Sequence, residues 1–398
     1  MKILMLTPYL PYPPASGGQI RTLYLLKYLS QNHEITLVSL YKNEKEKEYA
    51  RHLKSFCKNI YLCKRAEKPW QLGNILSSIF SFLPFLIVRN YSVEAKKTIE
   101  KLLKTERFDV IHAETFYIMP HIPKTSIPIL LVEQTIEFKV YQHFISHLPF
   151  IIKLGLVLDI LKLRAWEIHY WKKASLVATV SDTDKKTIQS IAPLADPVVI
   201  PNGAGDEMFV DSLPEKKFNQ PKLLFMGNFY WLQNVEAAEY LINKIFPQIK
   251  KQVPDISLII AGQNTTNKIK IEKTNQIAII NIAPDDTATV KKLYSEATLF
   301  VSPIFGPGGT RLKILAAMAS GLPVISTLIG IEGLGVEEKK HVLTAKSLDD
   351  FTNNILLAIK NHSLYYHIQK QAFSLVKQKY SWPSLAKQLE IAYQQITN

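Results

Sequence analysis

The chain has 398 residues, of which 47% are hydrophobic and 21% are charged, and its formal net charge is +14 at pH 7. That length exceeds one ordinary core, so we expect about two globular domains, and the composition excludes a disordered or fibrous protein. The positive charge predicts an anionic partner, but scattered lysines without an arginine-rich tract or zinc-ligand pattern argue against nucleic acid.

The first residues and the cysteines indicate where the protein resides. The apolar run after Lys2 is too short for a signal peptide, and no uninterrupted apolar stretch reaches the ~18 residues that span a bilayer. Cys57 and Cys63 provide neither a disulfide framework nor a four-ligand metal site. We therefore expect a cytoplasmic protein with reduced cysteines and no transmembrane helix.

The first half of the chain alternates between strand-like and helix-like runs. A buried strand is predicted over residues 3–6 and a helix over 18–30. Further strands are predicted at 35–40, 110–112, 129–132 and 176–180. This alternation is typical of a parallel sheet covered by helices on both faces.

The turn after the first strand contains Ser16, Gly17 and Gly18, followed by Arg21. A glycine pair lets the backbone lie against a ligand at the carboxyl edge of an open α/β sheet. A plain tight turn is an equally good interpretation, and the pattern does not match the G-x-G-x-x-G dinucleotide motif.

Polar residues stand at the ends of two later strands. His112 and Glu114 end one of them, and Glu133 and Glu137 follow the next. His112 is either a hydrogen-bond partner of a sugar hydroxyl or a structural residue, while Glu114 is a candidate hydrogen-bond acceptor or base. Buried carboxylates need partners, so Glu133 and Glu137 are either site residues on the acceptor side or surface loop residues.

Two apolar stretches, 75–88 and 148–171, stand out in the first half, and charged residues interrupt the second. Together they could form a basic amphipathic surface in a membrane interface. The alternative is that both are helices packed against the sheet.

A proline- and glycine-bearing stretch, 197–205, and the polar stretch 211–221 separate the first series of strands from a second one. The second series is predicted at 223–226, 257–261, 277–280, 299–302 and 324–326. We expect one domain over 1–198 and another over 199–379. The final helix, 380–398, either caps the second domain or packs on the first.

The most informative stretch is 302–333, where a glycine-rich loop with Gly308 and Gly309 leads directly into a helix. Thr310, Arg311 and Lys313 fall in the first helical turn. Free N–H groups, the positive end of the helix dipole and two cationic side chains together predict a phosphate or diphosphate site.

These features add up to a family resemblance that covers nearly the whole chain. The chain resembles the family 4 glycosyltransferases of the GT-B fold, in the branch with a G-G-T-R-L-K-I-L-E-A-M-A signature. The resemblance rests on 308–333 and on weaker motifs at 16–18, 109–112, 181–184, 200–203 and 225–227, with Trp231 and Asn234.

The resemblance implies two Rossmann-like domains facing across a cleft, with the sugar nucleotide on the second domain and the acceptor on the first. It implies retention of anomeric configuration, no cofactor and no catalytic metal. The candidate catalytic residues are His112, Glu114, Arg311 and Lys313. Candidate contacts to the donor and its diphosphate are Gly17, Gly18, Gly227, Asn228, Asn234, Gly308, Gly309, Thr310, Arg311 and Lys313; Arg21, Glu133 and Glu137 are candidates on the acceptor side.

The chain also departs from the family pattern. Two glutamates common in the family map to Gly308 and Ala316, and the second normally holds the ribose. The arginine and lysine that many members carry map to Asn228 and Asn234, and an expected His-Asn pair becomes Gln134-Thr135.

We therefore expect a glycosyltransferase that moves a sugar from a UDP- or GDP-sugar to a lipid-linked, polysaccharide or other glycoconjugate acceptor, peripherally at an anionic membrane surface. Two alternatives stay open: a catalytically impaired nucleotide- or glycan-binding scaffold, suggested by Ala316, and a nucleotide-sugar epimerase on the same fold. The sugar, the base, the acceptor and the oligomeric state do not follow from the sequence.

Overall fold

The computed structural model describes residues 1–68, 70–146, 150–216, 218–271, 274–306 and 312–397. The chain divides into two compact units. Unit 1 comprises Met1–Pro201 and Ala386–Asn398, and unit 2 comprises Asn202–Leu385. Both have the doubly wound α/β architecture that the sequence predicts.

Unit 1 is built on a parallel sheet of seven strands in the order β3-β2-β1-β4-β5-β6-β7. Its elements in chain order are β1 (Lys2–Thr7), α1 (Gly17–Leu29), β2 (Glu34–Tyr41), α2 (Glu44–Glu48), β3 (Asn59–Lys64), α3 (Leu72–Phe80), α4 (Phe85–Asn90), α5 (Val93–Thr105), β4 (Val110–Glu114), β5 (Ile129–Glu133), α6 (Glu137–Ser146), α7 (Phe150–Lys173), β6 (Leu176–Thr179), α8 (Asp182–Ile191) and β7 (Val198–Val199). A 3-10 turn, Phe116–His121, follows β4. Strands β1, β4 and β5 are buried almost throughout because helices cover both faces of the sheet.

The register of unit 1 brings the ends of its strands to one edge. Tyr41 at the end of β2 lies opposite Lys64 at the end of β3. Met5 in β1 lies opposite His112 in β4. The strand order changes direction beside β1, and open α/β sheets bind ligands at the carboxyl ends of the strands at such a point.

Unit 2 contains a parallel sheet of six strands in the order β10-β9-β8-β11-β12-β13. Its elements are β8 (Lys222–Asn228), α9 (Leu232–Tyr240), α10 (Phe246–Gln252), β9 (Ser257–Gln263), α11 (Thr265–Lys268), β10 (Ile277–Asn281), α12 (Thr287–Glu296), β11 (Leu299–Ser302), α13 (Leu312–Ala319), β12 (Val324–Ser326), β13 (Leu343–Thr344), α14 (Leu348–Lys360) and α15 (His362–Lys379). Its core packs large apolar side chains on both sheet faces.

The last helix, α16 (Trp382–Thr397), belongs to both units in turn. It starts in unit 2, where Trp382 is fully buried, and from Ala386 onward it is part of unit 1. There, Glu390 accepts a hydrogen bond from Asn32 at 3.1 Å and lies 3.0 Å from His33. The chain thus returns to its first unit after completing the second.

Helix α3 is oriented opposite to an ordinary amphipathic helix. Its one buried residue is Ser78, whereas Leu72, Ile79 and Phe80 are 71%, 62% and 84% exposed, and Phe82 beyond it is 90% exposed. Two polar contacts attach α3 to α7: Ser78 Oγ donates to Asp159 Oδ1 at 2.9 Å, and Lys162 Nζ donates to the Ser78 carbonyl at 2.7 Å. Residues 75–88 therefore divide into two parts: Leu86 and Ile87 of α4 are buried in the core of unit 1, whereas Ile79, Phe80 and Phe82 form an exposed apolar face.

This apolar face continues onto α7. Leu158 and Leu161 are 66% and 54% exposed and flank Asp159 and Lys162, which bind α3. Residues 148 and 149 of the second apolar stretch lie outside the described residues. Among the helices that the structure describes, none is long and apolar enough to cross a membrane.

Candidate functional site

A buried carboxylate, Glu114, organises the carboxyl edge of unit 1. Its Oε1 lies 3.0 Å from His112 Nε2, and its Oε2 accepts a hydrogen bond from Gln134 Nε2 at 2.6 Å. The Arg21 Nε lies 4.0 Å from Oε1, and both side chains are fully buried. Because a carboxylate only accepts hydrogen bonds, Nε2 of His112 carries the proton, and its Nδ1 accepts from Tyr393 at 2.5 Å when the ring is neutral.

Electrostatics keep Glu114 ionised despite its burial. Burial alone would raise the pKa of Glu114, but the hydrogen bond and charge of His112, the charge of Arg21 and the bond from Gln134 outweigh it, and the pKa is lowered. An ionised carboxylate in this position fixes the imidazole tautomer and orients the Gln134 amide.

Gly18 is required by close packing at this edge. A Cβ atom at this position would lie 2.2 Å from the Tyr9 hydroxyl and 2.6 Å from Gln134 Oε1. Gln134 in turn donates to the Tyr9 hydroxyl at 3.0 Å. Gly17 is exposed at the start of α1, with Ser16 as N-cap. The sequence interpretation of the glycine pair as a plain turn is thus incomplete, since Gly18 makes room for two polar side chains.

Two of the sequence candidates, His112 and Arg21, are buried and have no contact with solvent. His112 is fully buried with both ring nitrogens engaged, so a sugar hydroxyl would have to displace Tyr393 or Glu114. Arg21 is fully buried and donates to the carbonyls of Ile200 and Pro201 at 3.0 and 2.9 Å. Both are positioning residues of the edge, and Arg21 is not an accessible acceptor contact.

The two other acceptor-side candidates, Glu133 and Glu137, have different environments. Glu133 is 1% exposed and accepts a hydrogen bond from Trp171 Nε1 at 2.9 Å, so it is neither a surface loop residue nor an accessible site residue. Burial and the charge of Glu167 raise its pKa well above the usual range. Glu137 is half-buried at the start of α6, and burial raises its pKa to about 7 against the opposing charge of Arg89.

Glu167 is a polar residue that the sequence interpretation missed. Its two carboxylate oxygens accept hydrogen bonds from the backbone N–H groups of Glu137 and Phe138 at 2.8 and 2.9 Å. It therefore caps the first turn of α6 from α7, and its only signal in the sequence is that of an acid within an apolar stretch, a feature that it shares with Asp159.

The carboxyl edge of unit 2 brings together four of the sequence candidates: Gly227 and Asn228 at the end of β8, Asn234 on α9 and Lys313 on α13. Lys313 Nζ donates to Asn234 Oδ1 at 2.5 Å, and Asn234 Nδ2 donates to the Asn228 carbonyl at 2.7 Å. The Lys313 ammonium also lies 4.8 Å from the centroid of the Phe225 ring. These contacts hold the ammonium beside the strand end.

Two glycines make this arrangement sterically feasible. A Cβ atom on Gly227 would lie 2.9 Å from Asn234 Cγ and 3.1 Å from Lys313 Nζ. Gly262, at the end of the neighbouring strand, has a φ of +142°, and a Cβ there would lie 1.8 Å from the Gly227 carbonyl. The sequence interpretation included Gly227 but not Gly262, whose position beside Gly227 follows only from the pairing of β8 with β9.

The remaining predicted diphosphate contacts, Gly308, Gly309, Thr310 and Arg311, lie outside the described residues. The described part of that motif begins at Leu312, and Ala316 lies one helical turn after Lys313 on α13. Among the residues that the structure describes, no group of three or more His, Cys, Asp or Glu side chains is placed to hold a metal ion.

Comparison with known proteins covers both units. Family models described as "Glycosyltransferase Family 4" and "Glycosyl transferases group 1" match residues 15–207 and 220–361. The chain is 27% identical, over 95% of its length and 96% of the relative's, to an "Uncharacterized 44.6 kDa protein in cps region" of Klebsiella pneumoniae.

Solved structures with the same fold include a sucrose-phosphate synthase from Thermosynechococcus elongatus, with a TM-score of 0.69, 14% identity and coverage of 100% of this chain and 99% of that one. HepE of Anabaena, solved with UDP and glucose, has a TM-score of 0.65, 14% identity and coverage of 99% and 100%. At these identities the structures establish the fold.

Proposed function

Because the chain belongs to the family 4 glycosyltransferases of the GT-B fold, we propose that it is a retaining enzyme that transfers a sugar from a UDP- or GDP-sugar. The acceptor we propose is lipid-linked or a polysaccharide or other glycoconjugate. The reaction proceeds without a catalytic metal ion.

The observation that carries this proposal is the Lys313 ammonium held at the carboxyl edge of the unit 2 sheet by Asn234. Departure of a nucleoside diphosphate from a sugar develops negative charge on its phosphate oxygens. A fixed cation stabilises this charge as it forms. The Lys313 side chain supplies positive charge that a metal would otherwise provide, and Arg311 with the amides of 308–310 are the further contacts that the sequence motif predicts.

Features of similar proteins support the donor class and the kind of product. HepE has been solved in complex with UDP-glucose and with UDP. The Klebsiella relative is described by its place in a cps region, and WaaG, a further structure of this fold, as a glycosyltransferase of lipopolysaccharide biosynthesis.

The acceptor part of the proposal rests on the exposed apolar face of α3 and α7. Residues 72–88 contain no charged side chain, and Leu72, Ile79, Phe80 and Phe82 project into solvent. On a strongly basic chain, a face of this kind suits the interface of an anionic membrane, where a lipid-linked acceptor would be found.

The test is to replace Lys313 with alanine and measure UDP and GDP binding by calorimetry and sugar transfer with a panel of nucleotide sugars. Binding should weaken at least about tenfold, as expected for the loss of a charge-assisted contact to phosphate. The matched control is Lys250→Ala, an exposed lysine on α10 near the amino edge of the same sheet. Full nucleotide affinity and activity in Lys313→Ala would rule out this role for the lysine.

The same experiment separates the alternatives. A wild-type chain that binds no nucleoside diphosphate would favour the scaffold, which Ala316 in place of a ribose-holding acid suggests. Conversion of a nucleotide sugar to its epimer without any acceptor would identify an epimerase.

A further inference from the structure

Two cationic side chains follow neighbouring strands at the carboxyl edge of unit 1. Lys42 comes directly after β2, and Arg65 directly after β3. The two strands run parallel with Tyr41 opposite Lys64, and the backbone N–H of Arg65 donates to the Tyr41 carbonyl at 2.9 Å. Register therefore places these two residues side by side, although 22 positions separate them in sequence.

Arg89 joins them from α4. The neighbouring residue, Asn90, accepts a hydrogen bond from Arg65 Nη1 and is itself anchored to the Leu86 carbonyl at 2.8 Å. Burial and then the charge of Arg89 lower the pKa of Arg65. Burial, and after it the charges of Arg65 and Arg89, also lower the pKa of Lys42. The three cations are thus close enough to repel one another.

The protein neutralises this cluster only in part. The Nε atoms of Arg65 and Arg89 are buried without a hydrogen-bond partner among the residues that the structure describes. Glu46 Oε2 accepts a hydrogen bond from the backbone N–H of Lys42 at 2.7 Å, and the charge of Glu46 opposes the lowering of the pKa of both Lys42 and Arg65, which neutralises part of the cluster. The charge of Arg89 lowers the pKa of Glu137, yet within the described ranges the two form no ion pair at 4.0 Å or less. Buried donors without partners are costly, and an anion bound here would satisfy them.

We propose that Lys42, Arg65 and Arg89 bind the phosphate or diphosphate group of the acceptor substrate. The proposal rests on the function proposed above and names the chemistry of its acceptor. Two guanidinium groups offer the planar donor pairs that match phosphate oxygens, and the lysine adds a mobile point charge. An anion also relieves the mutual repulsion of the three cations.

The neighbouring apolar face favours a lipid phosphate as the source. The ring of Trp70, just before α3, stacks on Phe85 of α4 with centroids 4.9 Å apart, and Arg89 lies one turn further along α4. A phosphate bound at Arg89 would therefore lie close to the exposed apolar residues of α3. A phosphorylated sugar would use the cations alone.

The experiment measures calorimetric binding of octyl diphosphate, octyl phosphate, a hexose phosphate and octanol to the full chain. Arg89→Gln and Arg65→Gln should each weaken binding of octyl diphosphate about tenfold or more. Lys42→Gln removes an exposed charge at no risk to the core and should weaken binding by a smaller factor. Arg107→Gln, which removes the same charge just before β4 at the opposite sheet edge, should have no effect.

The outcomes distinguish the sources of phosphate and the two proposals. Equal binding of the hexose phosphate and octyl phosphate supports the site with a soluble phosphorylated acceptor, whereas a preference for the octyl compounds supports a lipid acceptor. Unchanged affinity in all three variants, or no binding of any phosphate ester by the wild-type chain, overturns the site. UDP and GDP titrations of the same samples report separately on the donor function in unit 2, and circular dichroism with thermal unfolding checks that the unit 1 variants are folded.

Discussion

Glu114 shows how one side chain fixes the geometry of several others. It contacts a neighbour on its own strand, a cation on α1 and an amide after β5. Through His112 it also reaches Tyr393 on α16. The sequence identifies Glu114 and His112 as residues suited to chemistry. Their buried, mutually satisfied arrangement indicates that they act by positioning Gln134 and Tyr9, which lie nearer the edge.

At the residue scale, the sharpest prediction concerns Gly18. We expect Gly18→Ala to destabilise the protein by about 1–3 kcal/mol, because the new methyl group must displace the Tyr9 hydroxyl or Gln134. Chemical denaturation measures the free energy of unfolding. Gly73→Ala is the control, since a Cβ atom there meets nothing within 4 Å, and it should be neutral or slightly stabilising. Equal effects of the two substitutions would contradict the packing argument.

Sequence can group candidate residues only where a local motif contains them. Lys313 and Gly227 belong to recognisable stretches, and the structure places them in contact. A Cβ atom built on Gly227 would lie 3.1 Å from Lys313 Nζ. Lys42, Arg65 and Arg89 could not be grouped in this way. Their proximity depends on the pairing of β2 with β3 and on the packing of α4, neither of which leaves a local signal.

At the scale of elements, α6 begins at a cap that comes from another helix. Glu167 on α7 binds the first N–H groups of α6, so α6 and α7 are joined by hydrogen bonds to a carboxylate as well as by apolar packing. Sequence does not reveal this cap, because Glu167 is 30 positions away from Glu137 in the chain.

This cap predicts a dependence of stability on pH. Burial raises the pKa of Glu167 from 4.5 to about 8, although the two backbone hydrogen bonds favour its ionised form. A raised folded-state pKa adds stability that is fully present below the unfolded pKa and is lost as the pH rises through the folded value. The free energy of unfolding should therefore fall between about pH 5 and pH 8, by on the order of 1 kcal/mol or more.

Glu167→Gln should make that fall shallower, because the amide cannot ionise and retains an acceptor for α6, while Glu133 and Glu137, whose pKa values are also raised, still titrate. Urea titrations at a series of pH values measure the effect. Glu48→Gln removes an exposed carboxylate on α2 and should leave the pH dependence of the wild type intact. A wild-type stability that rises over this range would refute the assignment.

Element prediction succeeded where burial imposes a strong pattern. Strands such as β1, β4 and β8 are buried and were placed within one or two residues of their observed bounds. Strand β3 was missed because it lies at the edge of the sheet and most of its residues are only half-buried. Its sequence therefore shows little difference in hydrophobicity from the loops beside it. The orientation of α3 stayed open between a membrane-facing surface and packing against the sheet, because an uncharged apolar run is compatible with both.

At the scale of the whole molecule, the proposed membrane association combines two features, the net charge of +14 and the apolar face of α3 and α7. Cationic attraction to anionic lipid is long in range but weakened by salt, whereas insertion of aromatic side chains is short in range and less sensitive to salt. The two contributions are therefore separable by experiment.

We expect the protein to sediment with vesicles containing anionic lipid at low salt and only weakly with zwitterionic vesicles. The double substitution Phe80→Ser and Phe82→Ser should reduce the bound fraction several-fold, because both rings are more than 80% exposed. Leu194→Ser is the matched control, since Leu194 is 95% exposed elsewhere in unit 1. If wild type and double variant remain equally in the supernatant, the membrane assignment fails.

The return of α16 to unit 1 has a consequence for biosynthesis. Residues 386–397 leave the ribosome only after all of unit 2 has been made, yet they supply Tyr393 to His112 and Glu390 to His33. Unit 1 is thus translated first and completed last. Until then its buried histidine lacks one partner, so the nascent chain carries an unfinished first unit while the second one folds.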